Sequence, residues 1–181
     1  VVNNAGILRD KSFHNMSPDL VDAVIDVHLK GAFNVTRPAY DVMRERRYGR
    51  IVNTSSAAGI FGNFGQTNCS AAKMGLVGFT RTLAQEGAKH NIHCNVIAPA
   101  ARTRMTEELL GKLADRLDPA LVSPTVAWLC HEECDANGET FSVGGGRVAR
   151  VIIGVTHGWF AAGQQIEMVR DHFAEICDDA A

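Results

Sequence analysis

The chain has 181 residues, 46% of them hydrophobic, and a formal net charge of -2, which supports one domain over 1–181 with a real core and is short for two. That balance excludes an electrostatic case for nucleic acid or an anionic membrane, and the densest basic cluster, Arg44, Arg46, Arg47 and Arg50, is expected to solvate a helix end. Five scattered cysteines form no disulfide framework, pointing to a reducing, cytoplasmic setting, and no apolar run nears the roughly 18 to 20 residues that span a bilayer.

Val1-Val2-Asn3-Asn4-Ala5-Gly6 reads as the end of a buried strand entering a polar turn. The sequence opens on Val rather than Met, so further residues are expected before it. After a Ser17-Pro18 start signal, Leu20, Val24, Val27, Phe33, Val35 and Met43 recur near helical spacing. They predict a long helix over 18–48, kinked at Pro38 and stopped by Gly49. The β-branched run at 50–54 predicts a strand, followed by Ser55-Ser56 and a glycine-rich loop with Gly59, Gly62 and Gly65.

Ala72, Leu76, Phe79 and Leu83 predict a second long helix over 66–89, and 93–97 the next strand, cut by Pro99. A charged helix is expected at 102–117, a short one at 124–131, strands at 140–143 and 148–155, and a closing helix at 164–176. Gly144-Gly145-Gly146 should turn between those last strands. Cys130 and Cys134 frame a zinc-like spacing, but no second ligand pair follows, so no metal site is expected. Strand and helix alternate throughout, which predicts an α/β fold with a parallel sheet covered on both faces.

Four segments occur in the order Asn3-Asn4-Ala5-Gly6, then Ile51-Val52-Asn53-Thr54-Ser55-Ser56, then Cys69-Ser70-Ala71-Ala72-Lys73, then Asn95-Val96-Ile97-Ala98-Pro99. In that order and at those separations they resemble the short-chain dehydrogenase/reductase family along essentially the whole chain. Asp26–Gly31, Asn68–Lys73 and Gly138–Gly146 are similar to the (3R)-hydroxyacyl-CoA dehydrogenase domains of multifunctional β-oxidation enzymes. The resemblance implies the C-terminal part of a doubly wound Rossmann-type sheet in which strands 4-5-6-7 of the order 3-2-1-4-5-6-7 remain. The first three strands and the TGxxxGxG phosphate loop, roughly 80 to 90 residues, are expected ahead of Val1. Val1-Val2 then becomes an apolar sheet edge.

The same resemblance implies hydride transfer between NAD or NADP and a secondary alcohol or ketone such as a 3-hydroxyacyl-CoA. In the family, a tyrosine four residues before a lysine passes the proton. The lysine lowers the phenol's pKa and binds the nicotinamide ribose, and a serine thirteen before the tyrosine holds the carbonyl oxygen. Ser56 and Lys73 match the serine and the lysine, while the tyrosine position is Cys69. A thiol ends short of the phenol hydroxyl's place by about an aromatic ring, beyond hydrogen-bond reach of about 3 Å. This chain alone is therefore expected to be inactive.

Two alternatives stand beside that reading. One is a non-catalytic subunit that scaffolds an active partner through the helices at 18–48 and 66–89, as a homo- or hetero-oligomer. The other is a thiol-redox protein, because Cys69 near a helix N-terminus and one turn from Lys73 would favour thiolate. His28 stands where many family members place an asparagine on a water-linked proton path, and the β-oxidation branch often carries His there; by itself it also reads as a packed helix histidine. Asn3, Ala5, Gly6, Lys73 and Pro99, with Thr103 or Thr106, are the implied cofactor contacts, with Ala100 where glycine is common.

Overall fold

Val2 and Asn3 form β1, which runs parallel to β2 (Gly49–Thr54) with Val2 opposite Val52 and Asn3 opposite Asn53. The computed structural model describes residues 1–103, 106 and 116–179, which fall into two compact units, Val1–Val151 and Ile152–Ala181. Most of the helix expected at 102–117 lies outside the described residues. β3 (Ile92–Pro99) pairs with β2 in parallel, β4 (Thr140–Gly144) pairs with β3 in parallel, and β5 (Arg147–Arg150) returns antiparallel, in the order β1-β2-β3-β4-β5. The β4–β5 turn is the expected glycine turn. Gly145 and Gly146 hold φ of 57° and 81°, the pair of left-handed positions that a two-residue hairpin requires.

Alternation along β2 sends Ile51 and Val52 to opposite faces of the sheet. Ile51 packs with Ile92, Cys94 and Ala84 under Tyr40 and Met43, whereas Val52 packs with Ile97, Val143, Leu129 and Cys134. Both faces are covered, as the near-continuous apolar strands require. Ile51 and Ile92 are fully buried, each worth roughly 1.5–3 kcal/mol of apolar transfer. Cys134 belongs to this core, so the thiol that suggested zinc packs against apolar side chains.

The helix expected at 18–48 is α1 (Pro18–Ile25), a π-helical turn (Asp26–Lys30) and α2 (Gly31–Arg46). Its irregularity thus falls at the π turn, where Gly31 N–H reaches Asp26 O, and Pro38 sits inside α2. The stop is also displaced: Arg47 takes the left-handed conformation at φ 52° and closes the helix onto Arg44 and Met43. Gly49 instead opens β2, because a Cβ there would lie 2.7 Å from Met43 Cγ.

α3 (Ala57–Phe61) replaces the start of the expected glycine loop. Ser56 caps it, its Oγ accepting Gly59 N–H at 3.1 Å, a side-chain acceptor for an otherwise unpaired helix donor. α4 (Thr67–Gly87) is the second long helix, with Ala72, Leu76, Val77 and Ala84 buried. α5 (Ser123–Leu129) covers the opposite sheet face through Leu129.

Arg50 departs from the solvated role expected of its cluster. It is 6% exposed, and its guanidinium donates to the carbonyls of Gly49, Asn91, His131 and Glu132. Strand pairing carries Arg50 inside, where four acceptors replace its water.

In the second unit, α6 (Ile166–Asp171) and α7 (Phe173–Ile176) are separated at His172, so the expected closing helix is two short ones. Trp159 stacks on His172 with centroids 4.2 Å apart. The strand expected to 155 ends at Arg150; Ile152 and Val155 are 77% and 99% exposed, so β-branched composition without a neighbouring strand does not make one.

Candidate active site

The C-terminal ends of β1, β2 and β3 meet the N-terminal ends of α3 and α4, the side of an open parallel sheet where ligands are held. β1 delivers Asn3 and Asn4. Asn3 Nδ2 donates to Thr36 Oγ1 at 2.9 Å and to Asn53 Oδ1 at 2.7 Å, so its side chain is committed to tying β1 to α2 and β2. Asn4 Oδ1 accepts from Thr54 Oγ1 at 3.1 Å. These bonds fix the turn that carries Ala5 and Gly6.

Lys73 comes from α4, 7% exposed. Its Nζ donates to Thr54 O at 2.6 Å, and Ser55 Oγ donates to Lys73 O at 2.9 Å. Burial lowers the ammonium's pKa to about 8, with Cys69 opposing the shift. Gly59 lets α3 sit against the lysine stem, since a Cβ there would lie 2.6 Å from Lys73 Cβ.

Cys69 lies one turn earlier, 6% exposed. Burial pushes its thiol above the ordinary value, Lys73 pulls it down by less, and Asp10 adds to the rise. Desolvation therefore works against the thiolate that the thiol-redox alternative needs.

His28 is held in the π turn. Its Nε2 lies 3.0 Å from Ile7 N and 2.8 Å from Ile7 O, so either tautomer finds a partner on one residue. Its Nδ1 is buried with no hydrogen-bond partner among the described residues. Burial lowers its pKa, and the Ile7 bond opposes the shift. Gly6 leaves room for the ring: a Cβ there would lie 2.7 Å from His28 Cε1.

Gly6, His28, Ser56, Cys69, Lys73, Pro99, Thr103 and Thr106 all line one cavity of about 630 Å³. Asn3 and Ala5 line a smaller one of about 170 Å³ that shares Asn4, His28, Thr54 and Lys73 with it. Ser56, Cys69, Lys73 and His28 are thus brought to one cavity, with Asn3 and Ala5 on its smaller neighbour. Thr103 and Thr106 hold one another: Thr103 N–H donates to Thr106 Oγ1 at 2.9 Å, and Thr106 Oγ1 donates to Ala101 O at 2.6 Å. Asn95 points elsewhere, donating to Ala136 O at 2.7 Å and accepting Glu139 N–H at 3.1 Å.

One cavity-lining group, Gln66, escaped the sequence reading, and Asn68 beside it takes a positioning role. Gln66 Nε2 donates to Asp10 Oδ2 at 2.7 Å, and Asn68 Nδ2 donates to Arg9 O and Leu20 O. Together they pin the 9–12 segment to the start of α4. The only sequence signal was a pair of amides just before a helical stripe.

The residues fit the nicotinamide end of a dinucleotide. The cavity is within the range of small-ligand sites, and Lys73 keeps N–H donors beyond the one spent on Thr54. A TGxxxGxG loop has no counterpart in the 181 residues.

The comparisons agree with this geometry. The short chain dehydrogenase family model matches residues 1–113. The mouse peroxisomal multifunctional enzyme type 2 is 51% identical over 183 residues, covering 98% of this chain and 25% of the mouse protein. A putative short-chain type dehydrogenase/reductase of Mycobacterium tuberculosis is 51% identical over 180 residues, covering 98% of this chain and 63% of that protein. The chain thus spans less than two thirds of either relative. Among solved structures, full-length peroxisomal multifunctional enzyme type 2 from Drosophila melanogaster superposes with a TM-score of 0.90 at 42% identity, over 99% of this chain and 34% of that one. With the matched family model, the parallel sheet and the clustered Ser56, Cys69 and Lys73 in agreement, the chain belongs to the short-chain dehydrogenase family of oxidoreductases.

Proposed function

We propose that the cavity takes the nicotinamide end of NAD or NADP together with a secondary alcohol or ketone of the 3-hydroxyacyl-CoA type, and that Cys69 leaves it without a working proton donor. The observation that carries this is the Lys73 ammonium bound to Thr54 O with a buried thiol one turn before it, where the family's phenol would stand. The hydride would be supplied or accepted by nicotinamide when it is bound. Ser56 Oγ already accepts Gly59 N–H, so its own O–H remains to donate to a substrate oxygen. Lys73 keeps two donors for ribose hydroxyls. The Cys69 thiol is too short to meet the substrate oxygen, and burial disfavours giving up its proton. The five free cysteines suit a reducing compartment.

The test is oxidation of 3-hydroxybutyryl-CoA with NAD+ or NADP+, followed by nicotinamide absorbance, in the chain preceded by a relative's glycine-loop segment. Cys69→Tyr is expected to raise kcat by roughly 10²-fold or more, the usual size of a positioned acid–base group. Equal turnover with Cys69 and with Tyr would overturn the reading.

A second reading, a subunit that pairs with another member of the family, is favoured by the outer face of α2 and α4. Phe33 meets Phe79 in a tilted contact with centroids 4.2 Å apart, and Phe33 and Val35 are about half exposed. Charge reversal at Arg37 with sedimentation as the readout tests it: an unchanged mass in solution sinks the pairing.

A further inference from the structure

We propose that Lys73 Nζ is a nucleophilic amine that captures a carbonyl group entering the cavity, forming a covalent enamine with a β-dicarbonyl compound such as a 3-oxoacyl group. The choice of a 3-oxo group rests on the dehydrogenase reading; the nucleophilicity of the amine does not.

Four features converge. Lys73 lines a cavity of about 630 Å³ yet is itself 7% exposed, so a small molecule can reach an amine that bulk water barely hydrates. Its hydrogen-bond partner is the neutral Thr54 carbonyl at 2.6 Å, and no carboxylate lines the cavity among the described residues. Among the described residues the ammonium thus loses hydration without gaining a carboxylate counterion, and its pKa of about 8 leaves an appreciable free-amine fraction near neutrality. The stem is fixed by Gly59 against its Cβ and by Ser55 on its carbonyl. A neutral amine keeping one N–H on Thr54 O therefore directs its lone pair away from that oxygen.

The fourth feature is the residue at 69. A thiol in the place of a phenol leaves volume beside the lysine and no hydroxyl to occupy its nitrogen. Cys69 does not compete as the nucleophile, since burial keeps it protonated. Lys30 shows the contrast: exposed and paired with Asp26 at 2.7 Å, it is held above its ordinary pKa. Desolvated lysines of this kind are the ones that form carbonyl adducts in other proteins.

With pentane-2,4-dione the step balances as follows. The Nζ lone pair attacks one carbonyl carbon and a C–N bond forms. The carbonyl oxygen leaves as water, taking one proton from nitrogen and one from the central carbon, and a conjugated enaminone remains. Nothing is oxidised or reduced.

The experiment incubates the chain with pentane-2,4-dione, follows the near-ultraviolet enaminone band and maps adducts by peptide mass spectrometry. Lys73 is expected to gain the mass of the diketone less one water roughly tenfold or more faster than Lys11, Lys30 or Lys89, from its larger free-amine fraction. The rate should rise with pH and level off above about 8. Lys73→Arg, which keeps a cation for Thr54 O, should abolish the band with the circular dichroism of the fold retained, and Cys69→Tyr should slow labelling several-fold. Labelling of surface lysines as fast as Lys73, or a band that survives Lys73→Arg, overturns the proposal. Acetoacetyl-CoA should protect Lys73. Labelling without such protection keeps the amine and removes the 3-oxoacyl assignment, and because labelling needs no nicotinamide, a failed dehydrogenase assay leaves it standing.

Discussion

Asn53 on β2 donates a hydrogen bond to Thr80 on α4 at 2.8 Å, and both side chains are fully buried. Asn53 Oδ1 in turn accepts from Asn3, which also donates to Thr36, so one polar chain crosses from α2 through β1 and β2 to α4. Asn53→Ala leaves Thr80 and Asn3 each short of a partner. It is expected to cost about 2–4 kcal/mol, read from urea denaturation. A loss under about 0.5 kcal/mol would mean that the chain re-pairs without it.

Lys73 makes stability depend on pH in a defined direction. Its folded pKa of about 8 lies below the ordinary 10.5, so between those values the unfolded chain binds more protons and stability rises with pH. The full difference is on the order of 3 kcal/mol. The wild-type chain should therefore gain stability relative to Lys73→Met between about pH 8 and 10.5. Parallel pH profiles for the two chains would contradict the shift. Comparing them also removes the opposing contribution of Cys94, whose burial pushes it to about 12.

Alkylation separates the thiols. Cys177 is exposed, Cys130 is half-buried, and Cys69, Cys94 and Cys134 are buried. Iodoacetamide at pH 8 should take Cys177 first and Cys69 much more slowly, because burial raises the Cys69 pKa. Cys69 reacting ahead of Cys177 would restore the thiol-redox reading.

Gly59→Ala tests the contact between α3 and α4. The added Cβ meets Lys73 Cβ at 2.6 Å and its carbonyl carbon at 3.1 Å, so backbone must move. The helix propensity gained, up to about 1 kcal/mol, is outweighed by a steric cost of about 1–3 kcal/mol. A lowered thermal midpoint together with an altered rate of diketone labelling at Lys73 is expected; a raised midpoint would show that α3 yields freely.

Much of the site was legible because it is local. Cys69 and Lys73 share a helix face by spacing, and Ser56 follows a β-branched strand, so chain order alone sets their neighbourhood. What stayed hidden depends on partners distant in sequence. Gly59 looked like a loop glycine, yet it lies in a helix because Lys73 passes against it. Arg50 looked like a solvated cation until strand pairing surrounded it with four carbonyls. The helix-end signal at Cys69 promised a thiolate, but local pattern carries no measure of how much water the fold removes.

The π-helical turn at Asp26–Lys30 works as a phase corrector. Val24, His28, Ala32 and Thr36 are all buried, a spacing of four that drifts about 40° per step around a regular α-helix. The wider turn takes up part of that drift, so Val24 reaches the interior beside Cys69 and Ala72 while His28 still reaches Ile7. Deleting one residue there would restore regular α geometry and leave the flanking turns nearly in phase, because the wider turn absorbs one extra residue, but it would remove the turn that seats His28. The helix can therefore lose one position at that point and keep Val24 inside, and what it gives up is the bond between His28 and Ile7.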